Sequence, residues 1–109
     1  MTTLEEIAEL PNNWDNYGAP AFTPEHISAA IALSRKLPLG YEVFPTPRSI
    51  QFEYDTFKHY LEIELMEDNT VTGFLYNKKS QSYFPFKDIS SLNFVNQIIS
   101  ASAQEKDEY

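Results

Sequence analysis

Three glutamates at strand spacing are the first residues that could do chemistry. Glu62 and Glu64 alternate with the apolar residues of positions 61–65, which predicts that both carboxylates leave a strand on one face. Glu53 is expected to neighbour them on the preceding strand. Carboxylates about 5–9 Å apart can act as acid and base in glycoside hydrolysis, and the same oxygens can hold a divalent cation. We favour the opposing interpretation, that these glutamates lie on the water-facing side of a half-buried sheet. A chain of 109 residues leaves little room for a deep cleft beside its core.

Other catalytic and cofactor motifs are missing from the sequence. His26 and His59 fall on different predicted elements and do not form a metal-binding pair. The three glycines, Gly18, Gly40 and Gly73, are scattered and make no phosphate-binding loop. The chain has no cysteine, which excludes disulfides, thiolate metal sites and cysteine nucleophiles. We therefore predict no catalytic residue, no metal and no cofactor, and hence a protein that is not an enzyme.

A polar loop that contains the single tryptophan holds further candidate binding residues. Positions 11–20 are dense in turn formers, and Trp14 stands among asparagines, Asp15 and Tyr17. One interpretation is that Trp14 plugs the core between the first two helices while the polar side chains hold the turn. The other is a recognition loop, since Trp and Tyr are typical interface anchors. Trp14, Asp15 and Tyr17 are therefore candidate binding residues.

The predicted strands carry more aromatic residues than a small core needs. Some of them must face outward or a partner, because side chains alternate between the two faces of a strand. The wet face is expected to hold Gln51, Glu53, Glu62, Glu64 and Tyr76, which are candidate binding residues. A surface that is both acidic and aromatic is more typical of protein binding than of catalysis. Homodimerisation through the same face is the competing interpretation.

Composition and charge restrict the class of partner. The 16 acidic and 8 basic residues give a net charge of −8, which disfavours direct binding to a nucleic-acid backbone. An aromatic content of 15% favours a folded domain over a disordered acidic chain. The acidic N-terminus and the lack of a long apolar run indicate neither a secretory signal nor a membrane span, so we expect a cytoplasmic protein without membrane contact.

Hydrophobic periodicity predicts an α+β domain. A short helix is expected over positions 4–10, capped by Thr2 or Thr3, and a second helix begins with Thr23 as N-cap and Pro24 at its first position. We expect the second helix to bury Ile27, Ala30, Ile31 and Leu37. The pattern then changes to alternation, which predicts an antiparallel meander of four or five strands with the helices packed on one sheet face.

A closing helix is expected to begin near Ser90, with an apolar stripe of Leu92, Val95, Ile98 and Ile99. We predict a single domain over residues 1–102, followed by a frayed acidic tail at 103–109.

The segment Asn13-Trp14-Asp15-Asn16-Tyr17-Gly18-Ala19 resembles a family of small prokaryotic proteins of uncharacterised function. Its members open with a helix, continue with an Asn-Trp-Asp-x-Tyr-Gly-Ala loop and then begin a helix with Pro-Glu, which is similar to Pro24-Glu25 here. Positions 45–47, 50–54 and 61–65 are also similar to the strands of the family, so the resemblance covers positions 4–75. Asn16 stands where Gly is expected, and Tyr54 where Trp is common. The resemblance implies a fold but no activity, and by analogy with accessory genes of mobile elements it implies an inhibitor or antitoxin-like role.

Together these observations predict a non-enzymatic protein-binding module that acts through an acidic, aromatic sheet face. Two alternatives stay open. The first is an acidic nucleic-acid mimic that inhibits a basic nucleic-acid-binding protein, suggested by the net charge. The second is a small hydrolase that uses Glu53, Glu62 and Glu64.

Overall fold

The computed structural model describes residues 3–38 and 40–87, which form two helices and five strands. Helix α1 spans Leu4–Ala8 and helix α2 spans Pro24–Ser34. The strands are β1 (Glu42–Pro45), β2 (Ser49–Asp55), β3 (His59–Met66), β4 (Val71–Asn77) and β5 (Ser82–Phe86). They form one antiparallel sheet in the order β1-β2-β3-β4-β5, which confirms the predicted α+β class and meander. The predicted closing helix and the acidic tail at 103–109 lie outside the described residues.

Both helices begin where side chains can satisfy their first backbone N–H groups. In α1, the Thr3 hydroxyl accepts from the backbone N–H of Glu6, and the Glu6 carboxylate accepts from the backbone N–H of Thr3, forming a capping box. In α2, the Thr23 hydroxyl accepts from the backbone N–H of His26 at 3.1 Å, and Pro24 occupies the first helical position. The predicted starts of both helices are confirmed.

Helix α2 buries a different stripe from the predicted one. Within α2, His26, Ala30 and Leu33 are buried, whereas Ile31 is 37% exposed. Ile27 is partly buried against the core, and Leu37 is buried but lies beyond the end of the helix. The inclusion of Ile31 was wrong because the buried positions of α2 advance by four and then three residues, which selects Leu33 and turns Ile31 toward solvent.

The core lies between the helices and one face of the sheet. Alternate residues of β2 and β3 are buried there, and Ile50, Phe52, Leu61 and Ile63 are fully shielded from solvent. Helix residues of the same cluster include Ile7. This alternation sends the intervening side chains of the central strands to the opposite face, away from this core.

One glycine is required by close packing in the sheet. Gly73 in β4 lies opposite Phe86 in β5. A Cβ atom at Gly73 would lie 2.1 Å from the carbonyl oxygen of Glu62 and 2.7 Å from Cζ of Phe86. Glycine therefore lets the Phe86 ring approach the sheet and enter the core.

Candidate functional site

The strand register brings the sheet candidates onto one surface. Gln51 lies opposite Glu64 and Glu53 lies opposite Glu62, while Tyr76 in β4 lies opposite Tyr60 in β3. We call this surface the acidic–aromatic face and define it by Glu42, Gln51, Glu53, Tyr60, Glu62, Glu64, Phe74, Tyr76 and Tyr83. All of these side chains alternate with core residues on their strands, so they lie opposite the core.

A row of three carboxylates crosses the first three strands. Glu42 pairs with Glu53, and Glu53 pairs with Glu62. Directly opposed side chains have Cβ atoms about 4.5–5.5 Å apart, and like charges in such positions destabilise a sheet. Within residues 3–38 and 40–87, no lysine or arginine forms an ion pair with any of these three carboxylates. The row is therefore a concentrated negative charge without a bound cation from the described chain.

Glu62 is the most perturbed carboxylate of this row. Partial burial raises its pKa, and the nearby carboxylates of Glu64 and Glu53 raise it further. Tyr60 opposes this by donating from its hydroxyl to Oε1 of Glu62 at 3.3 Å, a hydrogen bond that lowers the pKa of Glu62. Burial, followed by the influence of Glu53, raises the pKa of the Tyr60 phenol, so it stays a neutral donor at pH 7.

Glu64 is held in place by its neighbours. The Ser49 side chain is fully buried, and its hydroxyl donates to Oε2 of Glu64 at 2.7 Å. The Gln51 side-chain amide reaches the same oxygen at 3.4 Å. Thr46 contacts the Ser49 hydroxyl at 2.6 Å and completes the network. Glu64 therefore has a fixed carboxylate, which favours a binding role over a mobile surface charge.

Aromatic rings occupy the other half of the face. The ring centroids of Phe74 and Tyr83 lie 5.0 Å apart with nearly parallel planes, and those of Tyr60 and Phe74 lie 5.7 Å apart. Tyr83 is 61% exposed at the edge of the group. Tyr60, Phe74 and Tyr83 were not among the candidate binding residues. Pairing the predicted strands residue by residue across their turns would have placed these three side chains on the same face as Tyr76.

A depression of about 490 Å³ lies where the acidic and aromatic halves meet. The carboxylate-bearing Glu62 and Glu64 contribute to its lining, as do Thr72, Phe74, Pro85 and Lys87. Its volume is within the range of small-ligand pockets, although it opens on a sheet surface. The arrangement combines anionic oxygens with apolar and aromatic surface.

The loop candidates lie on a separate part of the molecule. Asp15 Oδ1 accepts from the backbone N–H groups of Tyr17 at 2.9 Å and Ala19 at 3.0 Å. These backbone donors lower the pKa of the Asp15 carboxyl. Asn13 and Gly18 both have positive φ angles, and Asn13 Oδ1 accepts from the backbone N–H of Gly18 at 2.8 Å. The polar side chains hold the loop, as the sequence interpretation required.

Trp14 is half-buried on this loop and is not one of the buried core residues. Its indole N–H donates to the carbonyl oxygen of Pro20 at 3.1 Å, and its ring stacks on Phe22 with centroids 6.1 Å apart. Trp14 thus holds the loop through its contacts with Pro20 and Phe22. Tyr17 is 92% exposed at the tip and lines a groove with Arg48 of the β1–β2 turn. The structure therefore does not place the loop candidates beside Glu62 and Glu64.

His26 has a structural position that the sequence pattern left open. It is 3% exposed, and its Nε2 lies 3.0 Å from the carbonyl oxygen of Leu65, so Nε2 carries the proton and donates. The bond ties α2 to β3. Among the described residues, no group of three or more His, Cys, Asp or Glu side chains could hold a metal ion.

Comparisons with known proteins gave no match. No family model, no curated protein and no solved structure matches the chain. The resemblance carried by residues 13–19 stays a prediction. In the part of the chain that the structure describes, no helix has the length and apolarity to span a bilayer.

Proposed function

We propose that the protein is a non-enzymatic binding module for another protein, and that the acidic–aromatic face is the surface that binds. The observation that carries the proposal is that a row of carboxylates, which has no ion pair among residues 3–38 and 40–87, lies beside packed aromatic rings on one face of the sheet. A few residues supply most of the binding energy at protein interfaces, and tyrosine is enriched among them. Carboxylates beside them select the partner by charge and accelerate the encounter.

Binding agrees better with this geometry than catalysis does. Glu62 has a raised pKa and could in principle donate a proton. The carboxylates, however, lie on an open sheet surface, and the hydrogen bonds to Glu64 hold it as an acceptor. General acid–base catalysis on a sugar requires a substrate enclosed between two carboxylates. The proposal therefore assigns these residues to recognition.

Matched charge variants test the proposal. The full-length chain serves as bait, and complexes from the native host are separated by size and identified by mass. The double variant Glu53→Gln and Glu62→Gln should lose a stoichiometric partner. The control Glu5→Gln and Glu9→Gln removes the same charge from exposed positions in and next to α1 and should retain it. Loss in both variants, or in neither, contradicts the assignment to the face.

A matched tyrosine pair separates the sheet from the loop. Tyr83 and Tyr17 are both exposed, but only Tyr83 belongs to the acidic–aromatic face. Tyr83→Ala should weaken the complex, whereas Tyr17→Ala should leave it unchanged. The opposite result would transfer the binding role to the loop.

The carboxylate row favours one second candidate, an acidic mimic of a nucleic acid. The aligned charges of Glu42, Glu53 and Glu62 could occupy a basic groove. Such a complex would dissociate in moderate salt, because screening weakens contacts between exposed charges. A complex held mainly by Phe74 and Tyr83 would survive the same salt.

A further inference from the structure

The charge of the acidic–aromatic face restricts the chemistry of its partner. Within residues 3–38 and 40–87, Asp55 at one end of the face is neutralised by Lys78, whose Nζ contacts Oδ1 of Asp55. The row of Glu42, Glu53 and Glu62 has no such cation. A positive group placed over the row would relieve the repulsion between opposed carboxylates.

A second copy of the chain is disfavoured by charge as the occupant of this face. A second copy of the chain would bring the same carboxylates and a net charge of −8 against this face. A cationic segment of a different protein is the occupant that complements the face.

The depression at the centre of the face specifies the cationic side chain. It presents the carboxylates of Glu62 and Glu64, together with the apolar surfaces of Phe74 and Pro85. An arginine matches both, because its planar guanidinium can pair with a carboxylate through two N–H groups and can also stack on an aromatic ring. Its methylene stem can cover proline and phenylalanine while the charged end reaches the carboxylates.

We propose that this depression receives an arginine side chain from a basic segment of the partner. This inference deepens the proposed function and rests on it. The fixed carboxylate of Glu64 and the carboxylate of Glu62, which accepts from the Tyr60 hydroxyl, bind the guanidinium, and Phe74 contributes its aromatic surface. Lys87 also lines the depression and is exposed, so its ammonium competes with the incoming arginine for these oxygens.

Blocked tri-arginine and tri-lysine peptides provide the probe. They carry the same charge, and both are titrated into the isotopically labelled full-length protein at about 0.15 M salt. We expect tri-arginine to bind more tightly than tri-lysine. Its amide shifts should concentrate at Thr72, Gly73 and Phe74, with little change at the equally acidic helix α1. Equal affinities, or shifts spread over every acidic surface, would overturn the inference.

Two variants with opposite expected effects sharpen the test. Phe74→Leu keeps an apolar side chain but removes the ring, and it should weaken tri-arginine binding by about two- to fivefold, the range of an exposed cation–π contact. Lys87→Ala removes the competing cation and should strengthen binding of both peptides. A Phe74→Leu protein that is folded by its amide spectrum yet binds tri-arginine with unchanged affinity would contradict the assigned depression.

The two proposals fail in different ways. If the native partner requires Glu53 and Glu62 while tri-arginine shows no preference for the depression, the arginine inference is wrong and the binding module stands. If partner capture does not depend on Glu53 and Glu62, the proposed function is wrong, and with it the arginine inference that rests on it.

Discussion

Removing the charge of Glu62 should stabilise the isolated protein. Glu62 lies directly opposite Glu53, and its ionisation is opposed by partial burial and by the neighbouring carboxylates. The substitution Glu62→Gln keeps the size of the side chain and retains an oxygen that can accept from the Tyr60 hydroxyl. The expected gain therefore comes almost entirely from the lost charge.

The register allows the gain to be calculated. Two carboxylates about 5–6 Å apart repel by about 0.7 kcal/mol in water, and salt at about 0.15 M reduces this by roughly half. With relief of the burial penalty, the free energy of unfolding should rise by about 0.5 kcal/mol, inside the range of cross-strand pair effects. For a domain of this size, that corresponds to an increase in Tm of about 2–4 °C.

The pH dependence identifies the cause. A raised folded-state pKa means that the folded protein binds this proton more tightly than the unfolded chain, so the stability linked to Glu62 is present below its ordinary pKa of 4.5 and is lost as the pH rises through the raised value. The contribution of Glu62 to wild-type stability should therefore increase as the pH falls from neutral to about 4.5. The Glu62→Gln variant should lack this increase.

Urea and thermal denaturation at pH 7 and near pH 4 are the assays. Glu25→Gln is the control, because it removes the same charge from the first turn of α2, where the carboxylate favours the helix, and should lower stability by about 0.3–1 kcal/mol. A Glu62→Gln protein that is no more stable than wild type at pH 7 would refute the reasoning. So would an equal increment at both pH values.

Three substitutions test other parts of the structure by urea denaturation. Gly73→Ala should lower the free energy of unfolding by more than about 1 kcal/mol, because the added methyl group meets the carbonyl of Glu62, which cannot move aside; wild-type stability would contradict the close packing. His26→Phe keeps a buried ring but removes the donor to β3 and should cost about 1–3 kcal/mol, so a neutral result would dismiss the hydrogen bond as a stabilising link. Trp14→Ala removes a ring stack and a hydrogen bond and should cost about 1–3 kcal/mol; an unchanged melting temperature would show that the indole does not support the loop.

Local patterns in the sequence were sufficient to predict the two helices and the antiparallel strands that the structure describes. The cap at Thr23 and Pro24 identified the start of α2, because both act on their own backbone. Alternation over residues 61–65 likewise assigned Glu62 and Glu64 to one face of a strand. These signals depend on neighbours in the sequence and need no tertiary structure.

Features that depend on distant segments were not predictable in the same way. The buried position of His26 depends on Leu65, which is 39 residues away. The ring group of Tyr60, Phe74 and Tyr83 depends on the register of three strands, which the turn lengths determine. The network between Ser49 and Glu64 likewise requires two strands to meet. From a single sequence, the residues that face outward are easier to predict than the contacts between them.

The meander also has a consequence for the speed of folding. Every strand pairs with its neighbour in the sequence, so each pairing closes only a short turn. Loop closure of this kind has a low entropic cost, and chains with mostly local pairings fold faster than those with distant ones. The strands that carry Glu53, Glu62 and Phe74 are consecutive, so they are joined through two pairings that each close a short turn. The carboxylate row of Glu42, Glu53 and Glu62 therefore assembles without any long-range strand pairing.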